Sequence, residues 1–358
     1  MSATTYKCPN CGAAMSFDSA TQKLACASCG TNIDVVDYDK YIKELESEYN
    51  DNNNEEFSSD AGEYDGDSSE NMKVFHCQSC GAKLVTDKFT SATFCSYCGN
   101  PNLVEERLDG EFSPDYVIPF KINKDAAVTA YKDWLKKGIL TPRSLARNSV
   151  VEKISGIYVP FWLYDYSANS KMNALANRVR VVRRGDYEYT YTDHYRIYRD
   201  VSANFDKIPA DASEKMPDER MDKLEPFNYQ ELVEFKKGYL QGYLSEKYNY
   251  NAEEIEDRTK SRAKESITNI TRGTIKGYTS VVVNGNDVSV SDLKNTYALL
   301  PVWMLNFKYN DKNYSFYING QTGKIVADRP VSIKRGIVFF ITVFIIILVI
   351  LMIGGLYI

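Results

Sequence analysis

The sequence predicts an α+β protein with two small N-terminal cysteine modules, a central mixed α and β region, and one apolar C-terminal helix. Three observations predict this organisation. A four-cysteine pattern occurs twice in the N-terminal third, helix-like and strand-like segments alternate through the middle, and the end of the chain is uncharged and apolar. With 358 residues, 44% of them apolar, the chain can build two or three domains. We divide it into a first cysteine module (1–36), an acidic linker (37–72), a second cysteine module (73–112), an α+β domain (113–330), and a basic segment with the apolar helix (331–358).

Internal repetition is clearest among the cysteines. All eight lie in CxxC pairs, and the first four recur after a displacement of 69 residues, together with the glycine that follows each pair. Four thiolates at this spacing are a donor set that zinc prefers, and the glycine permits the tight turn that each pair needs. Because protein ligands fill all four positions, such a site is structural. We therefore predict two structural zinc ions in two zinc ribbons, one held by Cys8, Cys11, Cys26 and Cys29 and one by Cys77, Cys80, Cys95 and Cys98.

Two alternatives concern these sites. The CPNCG segment at Cys8–Gly12 is similar to one knuckle of a rubredoxin iron site, but the short gap between the pairs and the few surrounding aromatic residues favour zinc. His76 precedes Cys77 directly and is a possible ligand, yet four cysteines already complete the site. We interpret His76 as a neighbouring or surface residue. His194 lies in a tyrosine-rich, strand-like run and is interpreted as structural.

The linker between the modules carries the acidity of the chain. Residues 37–72 contain thirteen acidic residues and two lysines, a local net charge of −11, while the whole chain has a net charge of −5. A crude apolar face predicts a helix at Tyr38–Tyr49. Residues 50–72 are too polar and acidic to bury a core, which indicates a flexible tether. The alternative is an acidic peptide that docks on a basic partner.

The C-terminal segment predicts a membrane anchor. Gly336 to Ile358 contains no charged residue, and as a helix the stretch Ile337 to Ile358 is about 33 Å long, which matches the hydrocarbon thickness of a bilayer. The alternative is a buried core helix. Because Arg329, Lys334 and Arg335 precede the helix, the positive-inside rule places the soluble domains in the cytoplasm. The absence of a signal-peptide pattern and the paired cysteines of a reducing compartment agree with a single-pass cell-membrane protein whose N-terminus is cytoplasmic.

The central region reads as mixed helices and strands. Predicted helices are Lys124–Lys137, Tyr229–Tyr248 and Ala252–Thr271. Predicted strands are Ile157–Tyr166, Arg178–Arg183, Tyr187–Tyr198 and Thr274–Val290, followed by a hairpin that pairs Trp303–Tyr309 with Tyr314–Ile318 around Asn310, Asp311 and Lys312. A short similarity between Val159–Tyr166 and Leu300–Tyr309 suggests two related α+β halves.

Sequence motifs of catalysis are scarce in this region. HExxH, GxSxG and dinucleotide fingerprints do not occur. Asn319–Lys324 is similar to the end of a phosphate loop, but Ile318 and Ile325 replace required residues, so a glycine turn is favoured. Arg178, Arg180, Arg183 and Arg184 alternate with valines, which predicts an amphipathic strand; the alternative is a site for phosphates or lipid headgroups.

Several motifs together resemble a known family. They are the two CxxCG repeats, LPVWML at Leu300–Leu305, YSFYINGQTGKIV at Tyr314–Val326 and the terminal anchor. Over nearly its whole length the chain resembles membrane-anchored double zinc-ribbon proteins of Gram-positive bacteria, of the YdjG type, whose ribbons are described as TFIIB-type. The resemblance implies a partner role in membrane complexes linked to phage-shock-type stress responses and to SPFH-domain proteins.

These observations lead to a functional hypothesis and an alternative. The hypothesis is a non-enzymatic, membrane-anchored adaptor, single or oligomeric, whose ribbons and α+β domain recruit protein partners. The alternative is a membrane-tethered, nucleic-acid-binding regulator, because zinc ribbons occur in transcription factors. Charge argues against it, since residues 5–36 carry two basic and two acidic groups and residues 73–108 carry four and three. An enzyme with a site of scattered residues in the central region is a third possibility.

Overall fold

The computed structural model describes residues 3–4, 6–52, 72–76, 83–87, 90–93, 103–105, 113–146 and 148–356. The chain forms two compact units, each assembled from segments that are distant in sequence. Unit 1 comprises Met1–Val159, Glu219–Lys247 and Leu299–Ile358, and unit 2 comprises Pro160–Asp218 and Tyr248–Ala298.

The predicted α+β class is confirmed. In chain order the strands are β1 Ala3–Thr4, β2 Met15–Asp18, β3 Lys23–Cys26, β4 Asn32–Ile33, β5 Met72–His76, β6 Lys83–Asp87, β7 Thr90–Thr93, β8 Leu103–Glu105, β9 Tyr116–Val117, β10 Ser155–Arg184, β11 Tyr187–Asp211, β12 Val233–Glu234, β13 Leu244–Glu246, β14 Ser280–Tyr309, β15 Lys312–Asn319 and β16 Ile325–Ala327. The helices are α1 Val35–Asn52, α2 Lys124–Lys136, α3 Asn148–Val151, α4 Asp218–Leu224, α5 Ala252–Gly273 and α6 Ile333–Leu356, with 3₁₀ turns at Arg143–Ala146, Tyr229–Glu231 and Lys237–Leu240.

Unit 1 contains the first cysteine module, in which β2, β3 and β4 form a small antiparallel sheet. It also contains the predicted C-terminal hairpin, with Trp303 opposite Ile318 and Tyr309 opposite Lys312. Asn310 and Asp311 both have positive φ, as a two-residue hairpin turn matched to the strand twist requires.

An aromatic cluster forms part of the core of unit 1. The Phe120 ring stacks on Tyr243 at a centroid distance of 4.1 Å and meets the edges of Tyr158 and Trp303 at 5.0 and 5.2 Å. Helix α2 begins where Asn123 accepts a hydrogen bond from the Ala126 amide at 2.8 Å. Its buried face, which includes Tyr131 and Trp134, packs on Phe316.

Unit 2 is organised around a long hairpin of β10 and β11. Its register runs from Phe161 opposite Asp211 to Arg184 opposite Tyr187. Helix α5 covers one face of the hairpin, and the Tyr166 hydroxyl lies 2.6 Å from the Thr259 hydroxyl. The apolar stripe of α5 therefore supplies part of the core of this unit.

The C-terminal helix α6 is long and apolar enough to cross a membrane over Ile333–Met352, and none of that span is buried against the described part of the chain. The first turn of α6 and the residues before it contact α2 and the loop that follows α2. The Ser332 amide donates to the Leu140 carbonyl at 2.9 Å, the Arg335 guanidinium donates to the Thr141 carbonyl, and the Arg329 guanidinium lies 5.2 Å from the Trp134 ring.

Most predicted elements are present, with shifted ends. The helix predicted at Tyr38–Tyr49 is α1, and those predicted at Lys124–Lys137 and Ala252–Thr271 are α2 and α5. The two strands predicted at Ile157–Tyr166 and Arg178–Arg183 are parts of the single strand β10. The prediction separated them because the small and polar residues between them give no apolar strand signal.

One predicted element is wrong, and one predicted strand begins later than expected. The helix predicted at Tyr229–Tyr248 is instead a series of turns and short strands, since Gly242 has a φ of +92° and β13 pairs with β10. The strand predicted at Thr274–Val290 is present as part of β14, but it begins only at Ser280, because Thr274 caps helix α5, and it continues to Tyr309.

Candidate metal centre

The first four predicted ligands are brought together. The sulfur atoms of Cys8, Cys11, Cys26 and Cys29 all lie within 4.8 Å of one another. The Sγ atoms of Cys8 and Cys29 are 3.5 Å apart, as are those of Cys11 and Cys26. Four sulfurs at about 2.3 Å from one zinc ion in a tetrahedron lie roughly 3.8 Å from each other, so this donor set fits zinc.

Each pair of cysteines lies on the same kind of turn. The Gly12 amide donates to the Cys8 carbonyl at 2.8 Å, and the Gly30 amide donates to the Cys26 carbonyl at 2.9 Å. The two glycines have φ values of +72° and +76°, a conformation that side chains other than glycine rarely adopt. The CxxCG pattern in the sequence is thus explained by backbone geometry as well as by the ligands.

Two side chains connect the turns, and the sequence analysis did not find them. The Asn10 side-chain amide donates to the Thr31 hydroxyl at 2.9 Å, and that hydroxyl lies 3.0 Å from the Cys29 sulfur. The Thr31 hydroxyl, followed by its backbone amide, lowers the pKa of the Cys29 thiol to about 6. Support of this kind orients a ligand and favours its thiolate form.

The close approach of the four sulfurs opposes the ionisation of all four thiols together. At Cys11 the Ala13 amide lowers the thiol pKa, but hydrogen bonding to the sulfurs of Cys29 and Cys26 outweighs it and raises the pKa to about 12. A divalent ion relieves this conflict because its positive charge attracts all four thiolates and offsets part of their mutual repulsion. The arrangement is suited to holding a metal ion, and all four positions of a tetrahedral ion are filled by protein.

Helix α1 packs on the same module through aromatic residues. The rings of Tyr6 and Tyr38 stack at a centroid distance of 4.8 Å, and the Tyr38 hydroxyl donates to the Lys7 carbonyl at 2.7 Å. Both tyrosines are buried, together with Leu24 and Val35. The start of the acidic segment is therefore part of the packing around the metal site.

The apolar face of the module is covered by residues 236–242 of the same unit. The Phe17 amide donates to the Gln241 carbonyl at 2.9 Å. A Cβ atom at Gly238 would lie 2.7 Å from a Val35 methyl group, so glycine is required for this close approach. A salt bridge of 3.3 Å between Lys236 and Asp39 borders the contact. Cys11 and Cys29 stay exposed.

The second predicted ligand set lies outside the described residues, so its prediction is neither supported nor opposed by side-chain geometry. The strand before it repeats the backbone pairing of the first module. His76 is opposite Lys83, and Lys7 is opposite Ala14, which is the same pair displaced by 69 residues. The side chain of His76 is not described.

The other candidate residues have structural surroundings. His194 is exposed on β11, where its Nδ1 atom lies 2.7 Å from the Asn177 side-chain oxygen. The turn predicted at Asn319–Lys324 is present, since the buried Asn319 side chain accepts hydrogen bonds from the amides of Gln321 and Thr322, both at 2.9 Å. This segment therefore terminates a strand.

A cleft of about 750 Å³ opens beside strand β2 in unit 1. Its charged lining residues are Asp18, Lys124 and Glu152, and the described lining contains neither cysteine nor histidine. The Asp18 carboxylate accepts hydrogen bonds from the Ala20 amide and the Thr21 hydroxyl, so it already stabilises a turn.

Comparisons with known proteins give one informative relative. No family model matches the chain, and no solved structure matches it. The chain is 40% identical over 328 residues to a Bacillus subtilis (strain 168) protein named "Uncharacterized protein YdjG", an alignment that covers 92% of this chain and 90% of the relative. Identity at this level over nearly the whole length of both chains establishes that this chain belongs to the YdjG family.

Proposed function

We propose that the chain is a non-enzymatic adaptor fixed to the cell membrane, which recruits protein partners through its cysteine modules and its α+β domain. One observation carries this proposal. The sulfurs of Cys8, Cys11, Cys26 and Cys29 supply every ligand that a tetrahedral zinc ion takes, so the ion has no position for a substrate. A metal held in this way stabilises a surface.

The surface that the first module offers is restricted. Its apolar face is covered by residues 236–242, while the edge that carries Cys11 and Cys29 is exposed. We assign the larger share of recruitment to the second module, which we propose to be a second zinc ribbon. The repeated strand register supports this assignment, and its ligands are Cys77, Cys80, Cys95 and Cys98.

The proposed location is the cell membrane, which α6 spans once. Within the described part of the chain, no residues bury Ile333–Met352, which supports this location over a soluble core helix. Lys334 and Arg335 at its start support a cytoplasmic N-terminal side. A separate prediction, that the α+β domain consists of two related halves around Pro160 and Pro301, stays a prediction.

The partner class follows from the family resemblance. We propose protein partners in an envelope-stress complex, with phage-shock-type and SPFH-domain membrane proteins as the first to test. Crosslinking and mass spectrometry on membranes that contain the full chain identify the neighbours of the cysteine modules.

The decisive comparison is between wild type and Cys77→Ser/Cys80→Ser. We expect the double variant to lose at least one crosslinked protein, because an unliganded module cannot keep its surface. Thr190→Ala/Thr192→Ala, which alters two exposed residues of β11, is the matched control and keeps all partners. An unchanged set of crosslinked proteins in the cysteine variant contradicts recruitment through the second module.

The alternative function is nucleic-acid binding by the same modules. Residues 5–36 carry two basic and two acidic groups, so the first module lacks the basic surface that phosphate contacts need. Salt-dependent retardation of duplex DNA by the full chain in detergent would reverse this order of preference.

A further inference from the structure

The hairpin of β10 and β11 ends in a tip, residues 178–193, whose two faces differ in composition. Paired residues of an antiparallel ladder project from the same face. One face carries three arginines and three tyrosines, whereas the other carries valine, threonine and one Arg–Glu pair. The first face, called the tyrosine–arginine face, consists of Arg178, Arg180, Val182, Arg184, Tyr187, Tyr189, Tyr191 and Asp193.

The tyrosine–arginine face is the uncovered continuation of a buried face. Nearer the centre of unit 2, Met172, Ala174 and Ala176 occupy the same face of β10 and are buried. Ile275 and Tyr278 cover that part. Aromatic and apolar residues continue along this face into the tip, but Ile275 and Tyr278 do not extend over them.

One arginine closes the core and the others are exposed beyond it. The Arg178 guanidinium lies 5.5 Å from both the Tyr195 and the Tyr278 rings, and its Nε atom donates to the Gly277 carbonyl at 3.1 Å. Arg180 lies over the Tyr191 ring at 5.1 Å and is exposed, as is Arg184.

The tyrosines of the tip are exposed to an extent that packing does not explain. Tyr187, Tyr189 and Tyr191 are 71%, 46% and 40% exposed, and they occupy alternate positions of one strand. Three exposed tyrosines in a row beside arginines form an amphipathic strip with a positive charge.

We propose that the tyrosine–arginine face binds the headgroup layer of an anionic lipid membrane. Guanidinium groups form paired hydrogen bonds with phosphate oxygens, and tyrosine rings are enriched at the depth of the headgroups. The face carries three arginines against one aspartate, which complements the negative surface of such a membrane. This inference rests on the proposed membrane location, because α6 would anchor the same chain in a lipid bilayer.

Lipid is favoured over nucleic acid because the positive charge is local. The basic residues of the face are three arginines at the end of one hairpin, whereas an extended nucleic acid is bound by a longer stripe of clustered basic residues. A single headgroup phosphate needs only two or three donors, which Arg180 and Arg184 supply.

Hydrogen exchange on the full chain in lipid nanodiscs tests the proposal. Discs of phosphatidylcholine alone are compared with discs that contain phosphatidylglycerol, and exchange is followed in peptides that cover the tip. Each arginine near an anionic surface strengthens association about fivefold, so Arg180 and Arg184 together contribute about 25-fold, and exchange at the tip should slow by about that factor in anionic discs. Incorporation into discs reports on α6 and the proposed location, whereas exchange at the tip reports on the hairpin alone.

Two variants that lose the same charge distinguish an effect of the tyrosine–arginine face from an effect of net charge alone. Arg180→Gln/Arg184→Gln removes charge from the tyrosine–arginine face and should abolish most of the slowing. Arg183→Gln/Arg196→Gln removes the same charge from the opposite face and should retain it. Equal exchange in neutral and anionic discs overturns the proposal. Slowing by an added DNA duplex but not by anionic discs also overturns it, in favour of a nucleic-acid partner.

Discussion

The first cysteine module and the hairpin tip use tyrosines in opposite ways. In the module, Tyr6 and Tyr38 stack on each other and are buried. In the tip, Tyr187 and Tyr189 stand on one face of a two-stranded ribbon and are largely exposed. The same residue type thus completes a small core in one region and forms an open surface in the other.

This difference shows where a partner can bind. A small metal-centred module has too little apolar interior to be stable alone, so its aromatic residues are used for packing on α1 and on residues 236–242. The hairpin is held by its cross-strand hydrogen bonds and by α5, which leaves the tyrosines of the tip free for another surface. Exposed tyrosines beside arginines are typical of binding sites.

The largest expected effect comes from the metal centre. Cys26→Ser removes a buried ligand, and structural zinc contributes about 10–16 kcal/mol to the folding of small zinc modules. We expect the chain to lose one zinc ion, measured by elemental analysis, and the first module to unfold. Tyr189→Ser in the tip is the control and keeps the metal content. Unchanged zinc content in the cysteine variant contradicts this ligand assignment.

The contact between the module and residues 236–242 is tested by a smaller change. Gly238→Ala places a Cβ atom 2.7 Å from a Val35 methyl group, so the free energy of unfolding should fall by about 1–3 kcal/mol. The measurement is urea unfolding in detergent. Gly273→Ala is the matched control, because a Cβ atom there meets nothing within 4 Å. Equal stability of the two variants indicates that the module does not need this close approach.

The cluster of Cys8, Cys11, Cys26 and Cys29 was predictable from the sequence because its information is local. Cysteine spacing and the glycine after each pair specify both the donors and the turn, as the positive φ of Gly12 and Gly30 shows. The pairing of Asn10 with Thr31 was not predicted, since neither residue type is unusual in such turns. At the same displacement of 69, the second module carries Ser79 and Asn100, again one hydroxyl and one amide. The amide and the hydroxyl have swapped positions between the two modules, and this swap was a sequence signal that the two residues form a pair.

Features that depend on distant contacts were not predictable. Residues 236–242 cover the module only because the chain returns to it after about half its length, and their charged neighbours gave the pattern of an amphipathic helix. The length of β10 was missed for a related reason, since Ala174 and Ala176 are small side chains that are buried by Ile275 and Tyr278 from another segment. Tertiary contacts decide both cases.

The Tyr38 hydroxyl provides a smaller test of the structural role of the tyrosines in the first module. Tyr38→Phe removes the part-buried hydrogen bond from the Tyr38 hydroxyl to the Lys7 carbonyl, which should cost about 1 kcal/mol of stability. Thermal unfolding of the full chain measures the loss. Tyr41→Phe, on the exposed side of α1, is the control and should leave the melting temperature unchanged. If both substitutions have the same effect, the bond to Lys7 does not stabilise the module.

The smallest effect on stability is expected at the hairpin tip. Tyr187 is 71% exposed and is paired with the exposed Arg184, so Tyr187→Ser should change the free energy of unfolding by less than about 0.5 kcal/mol. Tyr6→Ser, measured in the same urea titration, should cost several times more because it removes a buried ring and its stacking on Tyr38. If Tyr187→Ser destabilised the chain as much as Tyr6→Ser, the tyrosines of the tip would be structural, and the surface they form would not be available to a membrane.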